Sequence, residues 1–233
     1  MKTIGLLGGM SWESTVIYYQ YLNRMARARL GGLHSARCLT WSFDFAEIAA
    51  HQASGDWAKA SDLMMSAARR LERGGAECLV ICTNTMHKMA DQVQDAVDIP
   101  LLHIADATAP AIREAGCSSP LLLATAYTME QDFYKGNLAG KHGISVSVPD
   151  EDDRVEIHRI IYEELCQGEI WADSKQTYLD IVEKGIEAGA DGVIFGCTEI
   201  GLLVSEEDFA IPAFDTTALH AKAALDFALG GSG

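Results

Sequence analysis

Short apolar runs alternate along this chain with longer segments in which apolar residues recur every three or four positions. The runs read as strands buried in a parallel sheet and the longer segments as covering helices, the signature of βαβ units. Residues 4–7 make the first strand. Ser11 caps a helix over about residues 12–29, with Val16, Tyr19, Leu22 and Met25 along one face. A second strand, 38–42, ends at Phe43-Asp44-Phe45. Helix 56–73 leads to strand 78–82, residues 87–96 are helical, and the next strand opens at Pro100. The second half repeats the plan. Residues 120–124, 145–148 and 192–195 are strands, and 129–138, 155–167 and 173–188 are helices. Asp150-Glu151-Asp152-Asp153 forms a solvated helix start, and a terminal helix over 216–229 is expected to return to the first half.

Two segments stand out because each closes an apolar run with a small polar cluster. Ile81-Cys82-Thr83-Asn84-Thr85-Met86-His87 follows Cys78-Leu79-Val80, and Phe195-Gly196-Cys197-Thr198-Glu199-Ile200 follows Gly192-Val193-Ile194. A helix ending in glycine precedes both, which is how an α/β unit carries side chains to the carboxyl edge of its sheet. Thr83 lies 75 residues beyond Gly8, and Cys197 lies 73 beyond Ala124, the two matching strand ends. The expected architecture is therefore α/β with two pseudo-symmetric lobes. Each is a mostly parallel sheet flanked by helices, and the active site lies in the interlobe cleft. Residues 1–105 plus 210–233 form the N-terminal lobe and 106–209 the second; one continuous doubly wound sheet is the alternative.

Composition narrows the function. The chain has 233 residues, 48% of them hydrophobic, enough for a substantial core. A net charge of −15, from 33 acidic against 18 basic residues, argues against nucleic acid or an anionic membrane as partner. An anionic substrate must then be captured by local donors. The start of the chain reads as no secretory signal, and no apolar stretch approaches membrane-spanning length. The expected setting is cytoplasmic, with six scattered cysteines as reduced thiols. Cys78, Cys82 and His87 fit no zinc spacing, so no metal is expected.

Gly8-Gly9-Met10-Ser11, Cys82-Thr83-Asn84-Thr85-Met86-His87 and Gly196-Cys197-Thr198-Glu199 resemble the motifs of the aspartate/glutamate racemase family, in order and spacing, and most narrowly its L-specific bacterial branch. The resemblance covers essentially the whole chain. It implies a cofactor-independent racemase, a two-lobed α/β homodimer acting on an acidic amino acid. In such enzymes a thiolate removes the α-proton on one face and a thiol returns a proton on the other. The first motif departs from the family's Cys-Asn-Thr: Thr83 stands where the cysteine belongs, with Cys82 one residue earlier. Adjacent side chains of an extended segment point oppositely, so Cys82 should face the core and Thr83 the substrate. A hydroxyl is a far weaker acid than a thiol, which predicts asymmetric turnover, biased towards L substrates.

The resemblance makes Thr83 and Cys197 the catalytic pair and Met10 a substrate contact. Glu199 orients Cys197 or accepts its proton, or else is an ordinary first-turn acid. Asn84, Thr85 and Thr198 suit the α-carboxylate, and equally suit helix capping. Gln52 is a neutral donor for the side-chain carboxylate, with Thr125 and Thr128 donating from the second lobe. His87 and His103 read as structural. A single-cysteine decarboxylase or isomerase of the same superfamily, or a two-lobed sensor of dicarboxylic amino acids, are the alternatives.

Overall fold

Ile4–Gly8 (β1) is buried along its whole length because strands flank it on both sides. The order of this parallel sheet is β2-β1-β3-β4, with Cys38–Ser42 as β2, Cys78–Ile81 as β3 and Leu101–Leu102 as β4. The helices are Trp12–Leu30 (α1), Phe45–Ser54 (α2), Trp57–Arg73 (α3) and Ala90–Asp95 (α4). Successive side chains of a strand face opposite ways, and β1 feeds two cores accordingly. Ile4 and Leu6 pack with Tyr18, Leu22 and Ala26 of α1. Leu7 packs with Met64, Ala67, Ala68 and Leu71 of α3.

A second parallel sheet, ordered β5-β6-β7, comprises Leu121–Ala124 (β5), Val193–Gly196 (β6) and Ala213–Asp215 (β7). Around it run Ile104–Glu114 (α5), Ala126–Glu130 (α6), Asp132–His142 (α7), Glu151–Glu163 (α8), Ala172–Glu187 (α9) and Ile200–Leu203 (α10). Its core joins Leu122, Ile194, Tyr134, Ile160, Tyr178 and Val182.

The computed structural model describes residues 1–230 and divides into two units. Unit 1 is Met1–His103 with the chain from His220 on, and unit 2 is Ile104–Leu219. The last helix, Thr216–Ala228 (α11), begins in unit 2 and packs Ala221, Ala224 and Leu225 into the core of unit 1. The fold is thus α/β with two parallel sheets flanked by helices. Among the described residues no helix is long and apolar enough to cross a membrane.

Several elements differ from the sequence expectation. The buried face of α1 is Ser14, Tyr18, Leu22 and Ala26, whereas Val16 and Tyr19 are exposed. Residues 145–148 make only one isolated bridge, Leu121 to Ser147, and no strand. The helix expected over 129–138 is two, broken at Gln131, whose extended backbone stops α6 and caps α7. Residues 87–96 begin instead in a 3-10 turn, Thr85–Met89, before α4. Asp150 caps α8 by accepting from the Asp153 N–H at 3.0 Å, at the helix start expected over residues 150–153. It stops at Glu163, with Leu165–Gln167 a 3-10 turn.

Candidate active site

In unit 1 the strand ends hold the first and second motifs side by side. Leu7 pairs with Ile81, and the Cys82 N–H donates to the Leu7 carbonyl at 2.9 Å. Gly9 turns the chain with φ +81°. A Cβ there would lie 2.4 Å from both the N and the O of Phe43, so only glycine fits this approach of β1 to β2. The Gly9 N–H donates to Thr15 Oγ1 at 2.7 Å. Cys82 is wholly buried in the core with Ile4, Leu6 and Tyr18, while Thr83 is half-buried.

Next to Thr83 lies a cluster of three imidazoles, of which His87 and His220 are buried. His87 Nδ1 sits 2.8 Å from the Thr83 carbonyl, which can only accept, so Nδ1 carries the proton and donates. The His87 ring is 4.7 Å from that of His103 and 5.5 Å from that of His220. His220 Nε2 donates to the Leu102 carbonyl at 2.7 Å, and its Nδ1 therefore accepts from the Tyr18 hydroxyl at 2.9 Å. Burial pushes His220 down to about 4 and holds His87 well below the usual imidazole range, with His103 and His220 adding to the effect on His87. Both rings are neutral scaffolding at pH 7, and His87 fixes the backbone on which Thr83 sits.

Of the other expected contacts in this unit, Met10 is buried against the α3-side core with Ile48 and Met86. Gln52 is buried, and its Nε2 reaches Met86 Sδ at 3.3 Å. Asn84 and Thr85 are buried at the start of the 3-10 turn, and the Asn84 side chain makes no cap hydrogen bond.

In unit 2 the register Ala124 to Gly196 sets the segments beginning at Thr125 and Cys197 next to each other. Gly196 is required here: a Cβ would lie 2.5 Å from Leu122 Cδ1 and 2.9 Å from Ala124 Cβ. Thr125 and Thr128 are buried with their hydroxyls 3.3 Å apart. The Cys197 thiol, partly exposed, donates to Glu199 Oε2 at 3.1 Å. Thr198 is buried between them in sequence, and Glu199 is only 2% exposed. Glu199 stands at the cap position of α10 without a cap hydrogen bond from its side chain.

Burial, followed by the Glu199 charge and then Cys166, pushes the Cys197 thiol well above its ordinary range.

Sequence reasoning missed the groups around this pair. Cys166 reaches Glu199 Oε1 at 3.7 Å. Burial raises the Tyr162 and Tyr178 hydroxyls. His158 accepts the Ala126 N–H at 3.2 Å and lies 4.7 Å, ring to ring, from Tyr162. The available signal was the spacing Ser174, Tyr178, Ile181, which marks the buried face of α9. Among the described residues no group of three or more His, Cys, Asp or Glu side chains is arranged to hold a metal ion.

The model of the Asp/Glu/hydantoin racemase family matches residues 7–224. The chain belongs to this family. A provisionally assigned Asp/Glu racemase from Yersinia pestis is 54% identical and superposes with a TM-score of 0.91, over 98% of this chain and 100% of that one. An aspartate racemase homologue from Pyrococcus horikoshii OT3 is 34% identical, with a TM-score of 0.86 over 98% and 100% of the two chains. The broad specificity amino-acid racemase RacX of Bacillus subtilis is 23% identical over 70% of this chain and 69% of its own length. The chain has this family's two-sheet α/β fold.

Proposed function

We propose that the protein racemises aspartate, glutamate or both by two-base proton transfer at Cα, without an organic cofactor or a metal. The observation that carries the reading is the Cys197 thiol donating to the buried Glu199 carboxylate at a strand end, in a chain of a racemase family. Glu199 takes the thiol proton, and the thiolate removes the α-proton of the L enantiomer. Thr83 serves the other face of Cα. Its hydroxyl, or a water it holds, returns a proton to the carbanion, and the configuration inverts. In the reverse direction Thr83 must act as the base, for which a hydroxyl is poorly suited, so kcat is higher from the L than from the D substrate, KM differing by the same factor because the enantiomers are equal in energy.

Asn84, Thr85 and Thr198 hold the α-carboxylate, Met10 packs against the substrate, and Gln52, Thr125 and Thr128 are the neutral donors for the side-chain carboxylate. Buried amides and hydroxyls of this kind suit an anion in a protein whose net charge of −15 offers no long-range attraction. The reading carries a homodimer working in the cytoplasm, in keeping with the acidic composition and the family resemblance.

The test is chiral analysis of product from each enantiomer of aspartate and glutamate, in the wild type and in Cys197→Ser. The reading expects L substrate to be converted by the wild type and the variant to be at least about 10²-fold slower, the scale of a lost acid–base group. Equal rates in the two would refute it, and carbon dioxide release from substituted malonates would replace it with decarboxylation.

A further inference from the structure

Two thiols of unit 2 share one carboxylate. Cys197 Sγ donates to Glu199 Oε2 at 3.1 Å, and Cys166 Sγ donates to Oε1 of the same group at 3.7 Å. Cys166 comes from the 3-10 turn Leu165–Gln167, which Gly168 closes in the left-handed region at φ +78°. Nothing in the family motifs includes this turn. The half-buried Cys166 packs against the same core as Cys197.

We propose that Cys166 is a positioning residue for the reaction assigned to Cys197: by holding Oε1, its thiol keeps Oε2 of Glu199 on the Cys197 sulfur. The inference rests on the racemase reading of Cys197. A carboxylate has lone pairs on both oxygens, and a donor on one of them fixes the torsion that aims the other. This requires the S–H group of Cys166, not merely its volume.

The experiment compares Cys166→Ala, Cys166→Ser and the wild type, each also combined with Glu199→Gln. Two readouts are taken: kcat and KM for the L substrate, and the pH profile of Cys197 alkylation by iodoacetamide, followed on the Cys197 peptide by mass spectrometry. Cys166→Ala is expected to lower kcat about two- to five-fold, the scale of one weak hydrogen bond, with KM unchanged. Its Cys197 alkylation should quicken by a similar factor near neutral pH, the profile moving to lower pH, because the carboxylate charge no longer bears on the sulfur. Cys166→Ser, which keeps a donor, restores both, and in the Glu199→Gln background the Cys166→Ala effect vanishes. If Cys166→Ala does not fold, Cys166→Val takes its place. Serine performing no better than alanine would show a packing role and overturn the proposal. So would an alkylation effect that persists without Glu199. The alkylation readout needs no substrate, so a wild type inert towards every acidic amino acid would sink the racemase reading and still leave the link from Cys166 to Cys197 decided.

Discussion

The carboxylate of Glu199 lies 3.1 Å from the thiol of Cys197, two residues away, and both leave the same strand end. The carboxylate raises the thiol's proton affinity by its charge and is also the group that can receive that proton. Glu199→Gln separates the two effects. Removing the charge should make Cys197 more reactive towards iodoacetamide at neutral pH, while removing the acceptor should lower kcat for the L substrate by about 10²-fold. Alkylation rates and steady-state kinetics measured on one preparation check this. A variant slower in both would mean that Glu199 only supports the fold.

In the proposed reading Thr83 stands where the motif that its segment resembles carries a thiol. In Thr83→Cys the missing acid is supplied on a backbone already pinned by the His87 bond to the Thr83 carbonyl. The kcat for the D enantiomer should rise at least about tenfold and the ratio of the two kcat values approach that set by equal bases. Polarimetric rates from each enantiomer test it, and directional kinetics identical to the wild type would count against Thr83 as the second base.

The imidazole cluster predicts acid sensitivity of the fold. His220 is held down to about 4 by burial, against 6.5 for an ordinary histidine. Between those values the unfolded chain binds a proton that the folded one refuses. Stability is therefore full above pH 6.5 and falls as the pH drops towards 4, by roughly 3 kcal/mol from this group. His220→Gln should show a smaller fall in Tm between pH 7 and pH 4.5. An equal fall would assign the acid sensitivity elsewhere.

Gly9 and Gly55 both have positive φ, +81° and +71°, but only Gly9 faces backbone at 2.4 Å. Gly9→Ala should cost about 2–4 kcal/mol in urea unfolding, and Gly55→Ala about 1 kcal/mol. Equal costs would show that the turn after β1 gives way without displacing Phe43.

What the sequence made legible follows from which signals are local. The βαβ alternation and the strands carrying Thr83 and Cys197 were readable because buried parallel strands are continuous apolar runs, as Cys78–Ile81 and Val193–Gly196 are. The split between Cys82 in the core and Thr83 partly exposed followed from the alternation of neighbouring side chains. The face of α1 was not readable, since Tyr18 and Tyr19 are equally apolar and only the bond from Tyr18 to His220, 202 residues away, selects the buried one. For the same reason Cys166 looked like one more scattered thiol. Its partner is 33 residues distant, and a 3-10 turn has no periodicity to betray it. Residues 145–148 were apolar enough for a strand, yet the sheet gives them a single bridge.

The central claim is that Cys197 and Thr83 serve opposite faces of one Cα, and deuterium exchange in Thr83→Ala measures it most directly. In deuterated water, L-aspartate or L-glutamate should lose its α-proton signal in this variant at a rate near that of the wild type while optical rotation stays constant, because Cys197 still removes the proton and nothing reprotonates the other face. Inversion by Thr83→Ala as fast as by the wild type would contradict the account.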